Sequence, residues 1–322
     1  MCVGLLPTTI FLFSSFTYDA FVIAFLMLGI ALFVTEYLSE EKIKTKRTML
    51  SIFAMIVGCF SKAVYIPFLA LYWLMPKDKF YSRRQKNLFK AGIFVLLILM
   101  FASFILPLIG NVTSGAEVGD YRGGDTSQTS QLSMILGYPL TYTGVLLKSL
   151  GTTFASYFIG SKVLANFAYR GIYDGIGYFV VLLTMLFTFV TDFGMTEKTY
   201  DAQMKRKILM MKIWNAVLIF GTACLVWTAL YLDFTPVGSM VINGVSPRYY
   251  LPLIFPLSLI FINQKVRCSM KLENYQSLIA IFNADRHRYI YLLSDACIKL
   301  QIHERNQKDE TVYNFTVKFI WE

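Results

Sequence analysis

The sequence predicts an all-α integral membrane protein with about seven transmembrane helices, one pair of them short and split at Lys62, followed by a small mixed C-terminal tail. Three observations carry this prediction. The first is composition: 56% of the 322 residues are hydrophobic and only 16% are charged, with a mean hydropathy of +0.54, whereas a soluble domain carries about 25% charged residues. The second is that the apolar residues gather in runs long enough to enter a bilayer core about 30 Å thick. The third is that the basic residues behind the formal net charge of +10 sit in short clusters between those runs, as the positive-inside bias of membrane proteins requires.

The same observations exclude several classes. Nucleic acid is not a partner, because no basic stripe interleaves with polar helix faces; membrane lipid is. Cys2, Cys59, Cys224, Cys268 and Cys297 lie far apart, so they form neither a disulfide framework nor a CxxC metal site and read as packing residues. Only His287 and His303 supply imidazole, both in the last quarter of the chain. That excludes a histidine-bound metal among the helices and a serine hydrolase triad.

Residues 1–13 are apolar but too short to span, and they read as the end of a helix that starts upstream. Ala20 to Val34 is the first secure span, with Asp19 placed to cap its free N–H groups. Its far end meets Glu36, Glu40, Glu41, Lys42, Lys44, Lys46 and Arg47, a turn whose cations mark the cytoplasmic side. Met49 to Met75 is interrupted by Ser61-Lys62 and ends before Lys77, Lys79, Arg83, Arg84, Lys86 and Lys90. Both basic flanks are cytoplasmic only if the chain goes in and comes back as two short helices, turning at Lys62 on the outer side.

Ala91 to Ile109 then runs outward into a polar outer loop, 110–137, and 138–170 reads as an interfacial or re-entrant segment. Ile176 to Val190, Ile213 to Tyr231 and Tyr249 to Ile262 complete the crossings. The polytopic membrane domain is thus 1–262, and 263–322 is a cytoplasmic tail, partly β from its period-two stretches Tyr289 to Leu293 and Val312 to Ile320.

Three ionisable residues fall beside the outer ends of helices in this topology: Asp19, Lys62 and Arg248. Charges at membrane depth cost about 2.5–3.5 kcal/mol at a helix centre, so they face an interior, a cavity or a partner. Each also has a plain reading. Asp19 serves as a helix cap, Lys62 snorkels to the headgroups, and Arg248 meets lipid phosphate without specificity. The functional reading joins them: Lys62 and Arg248 grip the phosphate of a lipid-linked substrate while Asp19 orients them or a sugar hydroxyl. In the outer loop Glu117, Asp120 and Asp125 offer further carboxylates, suited to a general base or to a divalent cation, or to nothing beyond solvation. Catalytic candidates are therefore Asp19, Glu117, Asp120 and Asp125.

The order of three motifs resembles a known family. They are Leu6-Pro7-Thr8 with Ser14-Ser15-Phe16-Thr17-Tyr18-Asp19-Ala20, then Ser61-Lys62-Ala63-Val64-Tyr65-Ile66-Pro67, then Asn243-Gly244-Val245-Ser246-Pro247-Arg248-Tyr249-Tyr250-Leu251-Pro252. Together they resemble the domain of unknown function 2142 family of bacterial multi-pass membrane proteins, over roughly Leu5 to Ile262. That family is similar to the GT-C glycosyltransferase superfamily, whose members transfer sugars from polyprenyl-phosphate donors on the outer side of the membrane.

The resemblance implies a glycosyltransferase-like protein of cell-envelope glycan synthesis. The alternatives are a transporter or flippase subunit for lipid-linked glycans and a non-catalytic structural membrane protein. The GT-C pattern places its catalytic acid just after the first helix, upstream of where this sequence begins, so the resemblance implies an N-terminally incomplete or inactive member. The tail from Met270 has no counterpart in the pattern.

Overall fold

The computed structural model describes residues 3–15, 17–114, 126–167, 171–172, 175–191 and 201–261, with 273–274 and 277 besides. Residues 1–272 form one compact unit and 273–322 a second. The tail expected to be partly β falls almost wholly outside the described residues, as do Glu117, Asp120 and Asp125. Among the described residues every element is helical, and the sole β feature is an isolated bridge between Asn166 and Ile172.

A short helix α1 (Pro7–Ser14) precedes α2 (Asp19–Leu38), whose 20 residues carry no charge between Asp19 and Glu36. At 1.5 Å per residue α2 is about 30 Å long, the thickness of a hydrocarbon core. Asp19 does not cap it. Tyr18 occupies the cap position without a side-chain bond, and the Asp19 carboxylate sits in the first helical turn. A negative charge there still suits the helix dipole.

Beside α2 packs α3 (Thr45–Phe60). Two glycines let the backbones approach: a Cβ at Gly29 would stand 3.0 Å from the Ser51 carbonyl, and one at Gly58 would stand 2.9 Å from the Leu26 nitrogen. Small residues at such crossings allow close helix packing inside membranes. The contact is sealed by Ser51 Oγ donating to the Gly29 carbonyl at 2.5 Å.

At Ser61-Lys62 the chain reverses. The second leg is a 3-10 helix, Ala63–Leu74, with Pro67 inside it; its 12 residues exceed the usual run of three or four. Proline at 67 would clash with the carbonyl of Ala63 in an α-helix. The tighter winding also has a geometric effect. At about 2.0 Å per residue these 12 residues cover about 24 Å, the length of 16-residue α3 at 1.5 Å per residue.

The leg therefore returns to the level from which α3 departed. There the Ile43 N–H donates to the Lys79 carbonyl at 2.9 Å, and Lys42 Nζ donates to the Asp78 and Phe80 carbonyls at 2.9 and 3.1 Å. The 3-10 helix is central, packing against α3 and against the two longest helices, α4 (Arg83–Ser114) and α9 (Ala202–Phe234).

The outer loop 110–137 is shorter than the composition suggests. Helix α4 continues through Ser114, and α5 (Gln128–Gly137) occupies the other end, started by Ser127 accepting from the Ser130 N–H. A polar sequence forms helix here because a good cap satisfies its free N–H groups. The segment read as interfacial is mostly the 20-residue helix α6 (Pro139–Phe158), then α7 (Ser161–Leu164). Proline at the first position of α6 pre-sets φ where its missing N–H is harmless. Helix α8 (Ile176–Thr191) precedes α9, and a 3-10 turn, Pro247–Tyr250, opens α10 (Leu251–Ile260), which packs on α9 and α2.

Three described helices are long and apolar enough to cross a bilayer: α2, α4 over Arg83–Pro107, and α9. The count of about seven is not reached by that measure, since the other apolar helices, such as Ala63–Leu74 and Gly177–Phe189, are shorter. Their outward faces are apolar too. Phe94, Val95, Ile98 and Leu99 on α4 and Ile213, Val217 and Phe220 on α9 are all exposed, apolar faces that suit lipid rather than water around them.

Candidate functional site

The fold has two charged poles, and α2 sets their separation at about 30 Å. One pole gathers the turn after α2, the Lys77–Lys79 turn and the start of α9, where Tyr37 OH donates to the Lys207 carbonyl and Lys207 pairs with Asp78 at 3.2 Å. The other pole holds Asp19 at the start of α2, Lys62 at the reversal and Arg248 ahead of α10.

At this second pole the three charges meet. Lys62 Nζ donates to Asp19 Oδ1 in a short ion pair, and Arg248 Nε lies 3.7 Å from Asp19 Oδ2. The Asp19 side chain is 6% exposed, that of Lys62 11% and that of Arg248 34%. So the carboxylate is sealed and the guanidinium is partly open. One carboxylate between two protonated cations leaves one positive charge over.

Aromatic rings complete the enclosure. The Lys62 ammonium stands 4.0 Å from the centre of the Tyr249 ring and 5.0 Å from that of Tyr18, and Arg248 Cζ is 5.7 Å from the Tyr249 ring. Ring faces attract cations electrostatically without using up their hydrogen-bond donors.

Arg248 owes its position to the bolting of its segment. Tyr65 OH, fully buried, donates to the Tyr249 carbonyl at 2.7 Å; Tyr157 OH donates to the Val245 carbonyl at 3.0 Å; Trp227 Nε1 donates to Tyr250 OH at 2.5 Å. Upstream, Gly244 holds φ +79, a conformation that strains any residue with a side chain. A Cβ there would also press on the Phe234 ring.

The electrostatics follow from this enclosure. Burial pushes the Lys62 ammonium down to about 8, opposed by Asp19 and abetted by Arg248. Burial and then Asp19 raise the Tyr18 phenol, which stays neutral. Chemically, Asp19 is a poor general base, because each of its oxygens faces a cation. The cations have capacity to spare. Among the described residues Asp19 is the one hydrogen-bond acceptor of Lys62, and the buried Arg248 Nε has no hydrogen-bond partner. Such donors suit an anion, with the guanidinium fork matched to phosphate or carboxylate oxygens.

Among the described residues no group of three or more His, Cys, Asp or Glu side chains is placed to hold a metal. The expectation of a divalent cation rested on Glu117, Asp120 and Asp125, which lie outside those residues. Reading the sequence for charges missed Tyr18, Tyr65 and Tyr249. Two of these adjoin a site charge in the chain, and that adjacency was the available signal.

The family described as "Predicted membrane protein (DUF2142)" matches residues 1–257 of the chain. The chain belongs to this family. The match runs from the first residues into α10 and contains Asp19, Lys62 and Arg248. No curated protein and no solved structure matches. Family membership and the apolar helices together make this a membrane protein in contact with lipid.

Proposed function

We propose that the chain is a membrane glycosyltransferase-like protein that binds a polyprenyl-phosphate-linked sugar in cell-envelope glycan synthesis, similar to the GT-C superfamily. The site is the pole of Asp19, Lys62 and Arg248. It faces the extracytoplasmic side of the cell membrane, opposite the basic clusters, with the shorter helices bringing the crossings to about seven. One observation carries this reading: two cations converge on a single buried carboxylate that offsets only one of them, and a third of the Arg248 side chain remains open.

Lys62 and Arg248 hold the phosphate, and Asp19 is a positioning residue. In the transfer the acceptor hydroxyl attacks the anomeric carbon, and the bond from that carbon to the phosphate oxygen breaks. Polyprenyl phosphate leaves with the electron pair, and a carboxylate takes the acceptor's proton. With Asp19 engaged by two cations, that role falls to the outer-loop acids Glu117, Asp120 and Asp125.

A second reading is favoured by the engagement of Asp19 itself. A site of spare cations without a free base suits a flippase or carrier subunit that binds the lipid phosphate and makes no bond. Proteoliposomes given a labelled polyprenyl-phosphate sugar on the face opposite the basic clusters separate the two. A new glycosidic product, lost in Lys62→Ala and Arg248→Ala, supports the transferase. Label that crosses the bilayer unchanged supports the carrier. If neither process occurs, or both variants behave as the native protein, the phosphate-binding reading fails.

A further inference from the structure

A second feature lies on a different face of the molecule. An open groove of about 490 Å³ runs along α4, lined by Trp73, Phe94, Leu97, Phe101, Ala102 and Leu106 among other apolar residues, with no polar surface in it. From Phe94 to Leu106 the helix rises about 18 Å, close to the ~15 Å depth of one leaflet of the hydrocarbon core. The groove therefore has the length of a single acyl chain.

Its mouth is charged. Lys86 and Lys90 precede Phe94 at spacings of four, which puts them on the same stripe of α4 as Phe94, Leu97 and Phe101. Lys90 Nζ donates to the carbonyl of Trp73, at the top of the groove, at 2.9 Å. The Trp73 ring stacks on Phe94 at 6.4 Å and lies 6.4 Å from Trp214. Tryptophans at the headgroup level with lysines just beyond them are the usual arrangement at a membrane interface.

We infer that this groove binds one acyl chain of an anionic phospholipid, with its headgroup phosphate held by Lys86 and Lys90. The site is independent of the Asp19, Lys62 and Arg248 pole: it opens at the basic end of the fold and on its lipid-facing side. Charge complementarity selects the occupant, since two lysines at the mouth have no acidic partner there among the described residues.

Native mass spectrometry of the full chain in detergent tests this, with phosphatidylglycerol and phosphatidylcholine of identical chains as probes. The native protein should retain the anionic lipid about tenfold better. Lys86→Gln with Lys90→Gln should bring it down to the level of the zwitterionic lipid. Lys205→Gln with Arg206→Gln, equally basic and exposed on α9, should leave the preference intact. Ala102→Trp, which fills the groove, should lower binding of both lipids. The inference is overturned if the Lys86 and Lys90 variant keeps the preference or if the Lys205 and Arg206 variant removes it. The lysine variants alter half-buried surface positions, so helical content and elution volume should stay native and keep the test decisive.

Discussion

The two poles of this membrane protein are built from the same ingredients and finish differently. At the basic pole Lys79 is fully buried, yet its ammonium reaches the Ser39 carbonyl at 2.5 Å, Ser39 Oγ at 2.6 Å and the Glu41 carbonyl at 3.0 Å. Glu36, also buried, accepts from the Lys44 N–H at 2.9 Å and faces Arg47 at 3.4 Å. These groups clasp the turn after α2 to the turn after the 3-10 helix, and their donors are saturated. At the opposite pole Lys62 and Arg248 share one carboxylate and are otherwise met by ring faces. Saturation with backbone carbonyls makes a buried cation structural, and spare donors make it able to bind.

The largest expected effect comes from Asp19→Ala, which strands two cations. Removing one partner of a buried pair costs about 3–5 kcal/mol. Thermal unfolding in detergent should show a larger loss than for Glu36→Gln, which keeps an acceptor for the Lys44 N–H. Equal losses would erase the distinction between the poles.

Next in size is a crossed pair of substitutions. Lys79→Met leaves three oxygens without their charged donor and should lower stability by about 2 kcal/mol, with binding of a polyprenyl-phosphate ligand unchanged. Arg248→Ala should cost under about 1 kcal/mol of stability, as its side chain is partly exposed. Its ligand affinity should nonetheless fall about tenfold, the value of a charged hydrogen bond to phosphate. Calorimetry and ligand titration on the same preparations check both, and a binding defect in Lys79→Met would contradict the assignment.

The smallest effect is one of pH. Burial holds the Lys62 ammonium at about 8, below its usual 10.5, so it loses its proton at a lower pH in the folded protein than in the unfolded chain. Affinity for the phosphate ligand should decline as pH rises through about 8, well above the titration of the phosphate. In Lys62→Gln the profile should be flat from pH 7 to 9. A decline that persists in that variant would assign the titration to another group.

Much of the architecture was legible because hydropathy acts locally. A run such as Ala20 to Val34 must be helical in lipid, where no water satisfies its backbone. An interruption such as Ser61-Lys62 must be a turn or an expense. Asp19, Lys62 and Arg248 stood out for the same reason, as charges beside apolar runs. Other features were not local in that sense. The 3-10 winding of Ala63–Leu74 had only Pro67 as a hint, and the helices at 110–114 and 128–137 were masked by polar composition. Of the two readings of Asp19 the cap fails, because a cap is judged from neighbours in sequence, whereas the partner of this carboxylate is Lys62, 43 residues on.

By itself, then, the sequence determined that this chain lives in a membrane and that its most apolar runs are helices. Those outcomes depend on the transfer of each segment between water and lipid, a property of the segment alone. Only the tertiary structure decided that a carboxylate and two cations meet. Their meeting depends on the close packing of α2 and α3 at Gly29 and Gly58, on a returning leg of matched length, and on the tyrosine and tryptophan bolts around Arg248. Lateral packing between helices is short-ranged and specific to shape, so it emerges only when the helices are side by side.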